Sequence, residues 1–382
     1  MNIEQPIPLL DEDEEDIESN VSTDLLEELK SSVVYNLDWT VATVLAQLEE
    51  GAIDLQPQYQ RRDAWTVARK SKLIESLILG LPVPHIVLAE RQDAKGTFIV
   101  LDGKQRLTAL AQFKGVLSAS VANNFALTEL PILTNLNGAR FADIKESDTL
   151  KPIRNAFLNQ PLRTAILRGW RSEDLLHLVF HRLNSQVVPL SPQELRQALI
   201  KGPFMVFLND FSANSQTLKW LLNLDAPDFR MRDSELLLRL LGFAKHLSEY
   251  RGDLRKFLDA LARTLSAKWS QNEQQTKNDL ANIEEAIELW GSALGRGFVG
   301  RKFYRGNYER RLNRAVLDAQ VIVALDPVIG GRFKDNKSAL KERFEDLMTT
   351  DVEFQRAVEA TTKSIDAVRY RIDRLRAVLM QS

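Results

Sequence analysis

The most constraining feature of this 382-residue chain is a run in which an apolar stretch meets a helical pattern without a linker. Residues 97–101 read Thr-Phe-Ile-Val-Leu, which predicts a buried strand. Asp102 and Gly103 then indicate a turn, and the spacing of Leu107 and Leu110 predicts that a helix begins at once. Together with a second predicted strand at 86–89, this pattern favours an α/β or α+β unit.

The turn, Asp102-Gly103-Lys104-Gln105-Arg106, has the residue types of an oxyanion site. Backbone N–H groups at a helix N-terminus and the helix dipole favour an anion. Gly103 allows close approach of the backbone, Arg106 offers bidentate contacts to phosphate, and Gln105 offers a further donor. Because a carboxylate repels phosphate, we expect Asp102 to bind a divalent metal or orient a water molecule. The alternative is a tight Asp-Gly turn with an exposed arginine.

A second cluster lies upstream, where Tyr59-Gln60-Arg61 is followed by Trp65. Aromatic rings beside arginines suit stacking on a base and contacts to its phosphates. For the two aromatic residues we favour anchoring of the loop to the core. For Gln60 and Arg61 we favour phosphate binding.

A third cluster lies downstream, where Arg182 and Asn184 precede a helical pattern. We expect both side chains to join the same phosphate site. Ser191 is predicted to cap the following helix, with Pro192 in its first position and Glu194 three residues after the cap.

Charge and periodicity predict three regions. The first 30 residues hold 11 acidic residues and one lysine, so the net charge of −2 leaves +8 for the remainder. Residues 1–22 are interpreted as an acidic disordered tail, 23–140 as an α/β domain that contains the turn and 141–382 as a predominantly helical domain. Within the last region, long amphipathic patterns predict helices at 174–180, 233–241, 254–269, 277–294, 308–325 and 352–379.

Composition excludes several classes of function. The chain has no cysteine, so disulfides, thiolate metal sites and a cysteine nucleophile are excluded and a reducing cytoplasm is the simplest setting. No apolar run approaches the length of a membrane span, and the acidic N-terminus does not resemble a secretory signal.

In this order the clusters resemble the GmrSD-type N-terminal domain family, a ParB-like or sulfiredoxin-like domain of modification-dependent restriction and phage-defence proteins. The resemblance implies an α+β fold, with a small ParB/sulfiredoxin-like α/β domain followed by a mostly helical domain. It spans at least residues 36–260. The segments that carry it are Tyr59-Gln60-Arg61 with Trp65, Gly80-Leu81-Pro82-Val83-Pro84, the 102–106 turn, 180–196, 230–233 and 250–254.

The resemblance implies nucleotide binding at the turn, often with hydrolysis of a nucleoside triphosphate. We expect Mg²⁺ to accompany the nucleotide. The resemblance also implies a sensing role coupled to a nuclease. Lys104 departs from the family's usual glutamine and can add a phosphate contact or weaken the role of the amide. The third cluster, Asn184-Ser185-Gln186, lacks the family's glycine-rich continuation. The four histidines, none beyond His246, do not form the HNH nuclease pattern that many relatives carry at the C-terminus.

Three functions follow as hypotheses. The first is a nucleotide-binding, NTP-hydrolysing regulatory subunit of a phage-defence or restriction-type system that acts with a separate effector nuclease or toxin-like protein. The second is a non-catalytic DNA-binding adaptor, and the third is a metal-dependent DNA nuclease centred on Asp102. Each of the three hypotheses is compatible with a homo-oligomer of this chain. The adaptor would use a basic cluster made of Arg301, Lys302, Arg305, Arg310, Arg311 and Arg314.

Overall fold

A computed structural model describes residues 23–53, 55, 65–116, 124–183, 191–359 and 363–381. The chain divides between Leu199 and Ile200 into two compact units. The first unit combines a small sheet with helices, and the second is mainly helical. The predicted α+β fold class is confirmed. The predicted acidic tail, 1–22, lies outside the described residues.

The first unit is built on a four-stranded mixed sheet with the order β1-β4-β2-β3. β1 pairs antiparallel with β4, β4 pairs parallel with β2, and β2 pairs antiparallel with β3. β3 therefore lies at one end of the order, and its last residue is Asp102. The strands are β1 (Val33–Thr40), β2 (Ile86–Glu90), β3 (Phe98–Asp102) and β4 (Pro161–Arg168).

Helices fill the segments between these strands. Thr40 caps the second helix, because its Oγ1 accepts a hydrogen bond from the Thr43 backbone N–H at 3.2 Å. The described helices of this unit are α1 (Thr23–Ser31), α2 (Val41–Glu49), α3 (Val67–Ile78), α4 (Lys104–Lys114), α5 (Phe141–Glu146), α6 (Lys151–Asn159), α7 (Glu173–Leu183) and α8 (Pro192–Leu199).

Two strands were not predicted from the sequence. β1 is exposed along most of its length, and the apolar–polar alternation over residues 35–40 was a signal that sequence reasoning missed. β4 buries Leu162, Thr164 and Ile166 on one face and pairs with both β1 and β2. The predicted boundary at residue 140 therefore falls inside the first unit, because a strand at 161–168 lies within its sheet.

Aromatic rings in the core fix the position of α4, the helix that follows the predicted turn. The ring of Phe113, near the end of α4, packs edge-on against Phe141 of α5 and Phe157 of α6 with centroids 5.7 and 5.6 Å apart. Leu107 and Leu110 of α4 are buried in the same core. Burial of this face holds the N-terminal end of α4 at the carboxyl end of β3.

Glu28 joins α1 to the N-terminus of α7. One carboxylate oxygen, Oε1, accepts hydrogen bonds from the backbone N–H groups of Arg171 and Ser172 at 2.5 and 2.6 Å, and Oε2 accepts one from the Ser172 hydroxyl at 2.6 Å. Burial alone would raise the pKa of Glu28, but these hydrogen bonds outweigh it and lower the pKa below its usual value of 4.5. The charged form is therefore favoured in the folded state.

We expect Glu28→Gln to reduce stability by about 1.5–3 kcal/mol at pH 7, the usual worth of hydrogen bonds to a charged group. A lowered pKa contributes stability that is present above pH 4.5 and is lost as the pH falls through the folded-state value. The difference between the wild type and the variant should therefore shrink as the pH falls below 4.5. Urea unfolding at pH 7 and at a series of lower values measures it, and a pH-independent difference would contradict this role.

The second unit is helical except for one short hairpin among its described residues. Its strands are β5 (Phe303–Tyr304) and β6 (Asn307–Tyr308). Its helices are α9 (Pro203–Asn214), α10 (Gln216–Leu222), α11 (Arg232–Lys245), α12 (Leu254–Ala267), α13 (Trp269–Leu294), α14 (Arg314–Ala324), α15 (Pro327–Thr350, with a break at Asn336), α16 (Val352–Glu359) and α17 (Ile365–Met380).

Two predicted helices are shorter than expected. The pattern at 308–325 becomes a helix only from Arg314, because the hairpin occupies 303–308 and turns through Arg305 and Gly306, both at positive φ. Within the pattern at 352–379, the described helices are α16, which covers Val352–Glu359, and α17, which begins at Ile365 with Ser364 as its cap.

A buried ion cluster joins three helices of this unit. Asp318 of α14 accepts hydrogen bonds from Arg239 of α11 at 2.8 Å and from Arg371 of α17 at 3.0 Å. Asp318 and Arg371 are fully buried and the Arg239 side chain is 3% exposed. Because the effective penalty for taking each charge out of water is several kcal/mol, the carboxylate is needed to hold both guanidinium groups there.

No helix in the described part of the chain has the length and apolar character needed to cross a bilayer.

Candidate functional site

The turn that follows β3 is built as the sequence predicted. β3 ends at Asp102, and Gly103 adopts the left-handed conformation with φ 97° and ψ 10°. α4 begins at Lys104, and no side chain caps its N-terminus. The first helical hydrogen bond runs from the Leu107 N–H to the Gly103 carbonyl, so the backbone N–H groups before Leu107 lack a helical acceptor.

Arg106 lies across this turn and is held there by two acceptors. Its Nη2 donates to Asp102 Oδ2 at 2.7 Å and to the His85 backbone carbonyl at 3.0 Å. The Arg106 side chain is 14% exposed and that of Asp102 is 36% exposed. Arg106 Nε is buried and has no hydrogen-bond partner among the described residues. The guanidinium is therefore positioned by protein contacts and retains unused donors.

Asp102 and Gln105 also retain unused polar atoms. Asp102 Oδ1 accepts no hydrogen bond from the described residues, whereas Oδ2 is occupied by Arg106. Gln105 Oε1 is buried and likewise has no described partner. An unpaired buried acceptor is costly unless a ligand or water supplies the donor. The turn thus offers both donors and acceptors to a bound molecule.

Elements that carry the other two clusters adjoin β3. Ile53 forms a parallel bridge with Phe98, so the chain there runs in the direction of Asp102. α7 and α8 both contact β3. The predicted phosphate ligands Gln60, Arg61 and Asn184 lie outside the described residues, so their positions are not given. Arg182, the remaining predicted ligand, is an exposed residue near the end of α7.

Anchoring of Trp65 is confirmed, since its half-buried ring packs against the core and lies 4.5 Å from the Arg69 guanidinium carbon. The predicted cap of α8 is also confirmed. The Glu194 N–H donates to Ser191 Oγ at 3.1 Å, and the Ser191 N–H donates to Glu194 Oε2 at 2.8 Å.

Sequence reasoning missed the buried polar face of α8. Gln193 is completely buried and Arg196 is 1% exposed, and Arg196 Nη1 donates to Gln193 Oε1 at 2.5 Å. The available signal was weak, because glutamine and arginine on a short helix are usually solvated. Their burial on a helix that contacts β3 places further polar groups in this part of the unit.

The residues at the turn suit a metal ion that is already bound to a phosphate ligand better than one coordinated by protein side chains alone. Within the described residues, no group of three or more Asp, Glu or His side chains is arranged to hold a metal ion. Mg²⁺ commonly uses one or two carboxylates together with substrate phosphates and water. Asp102 Oδ1 fits that requirement as a single protein ligand.

The backbone at Gly103 provides a direct test of the turn. A Cβ there would lie 3.3 Å from Arg106 Nη2 and 3.3 Å from Ile86 Cγ1, at a φ that side chains rarely adopt. We expect Gly103→Ala to cost about 1–3 kcal/mol of stability and to displace Arg106. Gly96→Ala is the matched control, because Gly96 has φ +80° but a Cβ there meets nothing within 4 Å. Equal losses of stability in urea unfolding would contradict a special role for Gly103.

The basic cluster considered for DNA does not form one exposed surface. Arg301 and Arg314 are buried, and Arg314 lies 3.6 Å from Glu235. Lys302 Nζ is paired with Glu309 and Glu359 at 2.9 and 3.0 Å. The exposed members of the cluster are Arg305, Arg310 and Arg311.

Residues 41–201 match the family model of the GmrSD restriction endonuclease, N-terminal domain. The match contains the turn at 102–106 and all three sequence clusters, but it ends before the 230–233 and 250–254 segments. Comparisons with curated proteins and with solved structures gave no match. The turn therefore lies within a segment, 41–201, that is similar to the N-terminal domain of the GmrSD restriction endonuclease.

Proposed function

We propose that this protein is a nucleotide-binding regulatory subunit of a restriction-type phage-defence system, and that it hydrolyses a nucleoside triphosphate at the 102–106 turn. The observation that carries the proposal is the uncapped N-terminus of α4 at the end of β3, with the Arg106 guanidinium fixed across it. Backbone N–H groups, a helix dipole and an arginine together suit a polyphosphate.

Lys104 and Gln105 extend the same chemistry. Both occupy the first turn of α4, where their backbone N–H groups have no helical acceptor. The Lys104 ammonium would add positive charge at this end of α4, and the Gln105 amide could orient water. Gln60, Arg61, Arg182 and Asn184 are proposed to complete the phosphate site from the neighbouring segments.

Asp102 is proposed to serve hydrolysis rather than affinity. Its Oδ1 would hold Mg²⁺ bound to the nucleotide, and that ion would neutralise charge on the phosphates. The pair with Arg106 keeps the carboxylate oriented, because Oδ2 is fixed and Oδ1 remains available. In this arrangement Arg106 acts on phosphate oxygens and Asp102 acts on the metal or on the attacking water.

The regulatory part of the proposal comes from the domain type. The matched model carries the name of a restriction endonuclease, of which it represents the N-terminal domain. The HNH histidine pattern does not occur among the four histidines of the sequence. We propose that DNA cleavage is carried out by a separate effector nuclease or toxin-like protein, whose gene is expected to lie next to this one.

The hydrolysis proposal is tested with the purified protein and ATP, GTP, CTP and UTP in turn, each with Mg²⁺ and with EDTA. We expect phosphate release from at least one nucleotide in the presence of Mg²⁺ and none in EDTA. Absence of both binding and phosphate release for every nucleotide would overturn the proposal. Binding without release would leave a nucleotide sensor and remove the catalytic role of Asp102.

A further inference from the structure

Arg301 of the second unit is a buried arginine with unused donors. The residue precedes the β5–β6 hairpin and is 7% exposed. Its Nε and Nη1 atoms are buried and have no hydrogen-bond partner among the described residues. An arginine presents five N–H donors in a fixed fork and cannot lose its charge at neutral pH. Its burial therefore requires an explanation.

The electrostatics at Arg301 differ from those at the next residue. Burial lowers the pKa of Arg301, and no acidic group among the described residues offsets that effect. Burial also disfavours the charge on Lys302, but the hydrogen bonds that its ammonium donates to Glu309 and Glu359 outweigh it and raise the pKa of Lys302. Both nearby glutamates are thus engaged by Lys302. The Arg301 charge lacks an anion that would compensate for its burial.

A second buried donor lies close to the same backbone. Gln320 of α14 is completely buried, and its Oε1 accepts a hydrogen bond from the Gly300 N–H at 2.8 Å. This bond identifies Oε1 as the atom that faces Gly300, so Nε2 lies on the other side of the amide and is the atom that can donate. Gln320 Nε2 has no acceptor among the described residues. Because Gly300 directly precedes Arg301, unused donors from two side chains occur in one part of the fold.

Each unused atom in this group, Arg301 Nε, Arg301 Nη1 and Gln320 Nε2, is a donor. A buried water could accept from one or two of them, but a neutral molecule would leave the guanidinium charge uncompensated. An oxyanion supplies several acceptor oxygens and the opposite charge together. A phosphate group fits best, because its oxygens match the guanidinium fork and the exposed Arg305 follows in the same segment.

We propose that Arg301 and Gln320 form a phosphate-binding site in the second unit, independent of the turn at 102–106. The ligand is a phosphate group, either the free inorganic anion or part of a nucleic-acid backbone, and the same residues would contact both. The site differs from the basic cluster predicted from the sequence, since its principal cation is buried and its second donor is an uncharged amide.

The proposal is tested by thermal unfolding of the full chain in phosphate-free buffer and in sodium phosphate at matched ionic strength. We expect phosphate to raise the Tm of the wild type by several degrees and to leave the Tm of Arg301→Met unchanged. Arg310→Met, which removes an exposed arginine from the same segment, should keep the full shift. In phosphate-free buffer Arg301→Met should be at least as stable as the wild type, because an uncompensated buried charge is removed.

A wild type whose Tm rises neither with inorganic phosphate nor with a DNA duplex, or an equal rise in Arg301→Met, would overturn the site. If Arg301→Met fails to fold, Arg301→Lys and Gln320→Leu replace it, and both should reduce the shift. A parallel arm uses a short DNA duplex in place of inorganic phosphate. A shift with DNA alone that Arg301→Met abolishes identifies nucleic acid as the source, whereas a shift with inorganic phosphate alone identifies the free anion.

Discussion

Replacing Asp318 with alanine is expected to lower the free energy of unfolding by about 3–5 kcal/mol, the usual consequence of removing one partner of a buried ion pair. Asp318 is fully buried between Arg239 and Arg371, and it accepts hydrogen bonds from both. Its loss would leave two buried guanidinium groups without this carboxylate. The urea midpoint, followed by far-ultraviolet circular dichroism, measures the effect.

An exposed ion pair of the same unit supplies the control. Asp373 is 71% exposed and pairs with Arg376 at 3.0 Å, so Asp373→Ala should change stability by no more than about 1 kcal/mol. If Asp318→Ala behaves like Asp373→Ala, the buried cluster does not hold α11, α14 and α17 together. Asp318→Asn, which keeps the side-chain volume, separates loss of charge from loss of packing.

The second large effect is expected at the turn, where Asp102→Ala should reduce nucleotide hydrolysis by about 100-fold or more. Affinity for the nucleotide without metal should be preserved or increased. The substitution removes a negative charge beside the phosphates and releases Arg106 Nη2 from its 2.7 Å bond to Asp102 Oδ2. Single-turnover kinetics and equilibrium binding of the same nucleotide, with and without Mg²⁺, measure the two effects separately.

Asp93→Ala is the matched control for this experiment. Asp93 also pairs with an arginine of the first unit, Arg91, at 2.9 Å, but its side chain is 69% exposed. We expect neither hydrolysis nor binding to change in that variant. Turnover that survives in Asp102→Ala would contradict the catalytic assignment. A parallel loss of binding and turnover would instead indicate that Asp102 serves only to hold the turn.

The local signals in the sequence were sufficient for the turn and its flanking elements. An apolar run, an Asp-Gly pair and apolar residues at helical spacing each favour one backbone conformation, and they agree with one another. β3, Gly103 and α4 follow that prediction closely. The prediction of a capping box at Ser191 and Glu194 was confirmed for the same reason, since its hydrogen bonds form within four residues.

Features that depend on distant contacts were not predictable in this way. β4 became a central strand because β1 and β2 pair with it on either side, although its own alternation of Leu162, Thr164 and Ile166 was an available signal. Arg301 was included in the basic cluster of the DNA-adaptor hypothesis because of its place in a basic segment, but it is buried. Linear charge does not reveal burial, because the side chains that cover a residue come from elsewhere in the chain.

The central claim is that the 102–106 turn binds nucleotide phosphates, and calorimetric titration of the preferred nucleoside triphosphate into the wild type and Arg106→Ala tests it most directly. Hydrogen bonds from a charged donor are typically worth about 1.5–3 kcal/mol, so Arg106→Ala should weaken binding by about 10- to 100-fold. In that variant the Asp102 carboxylate would no longer be paired with Arg106 and would repel the phosphates. Arg91→Ala should bind as the wild type does. A folded Arg106→Ala protein with unchanged affinity, or a wild type that binds none of the four nucleotides, would contradict the claim.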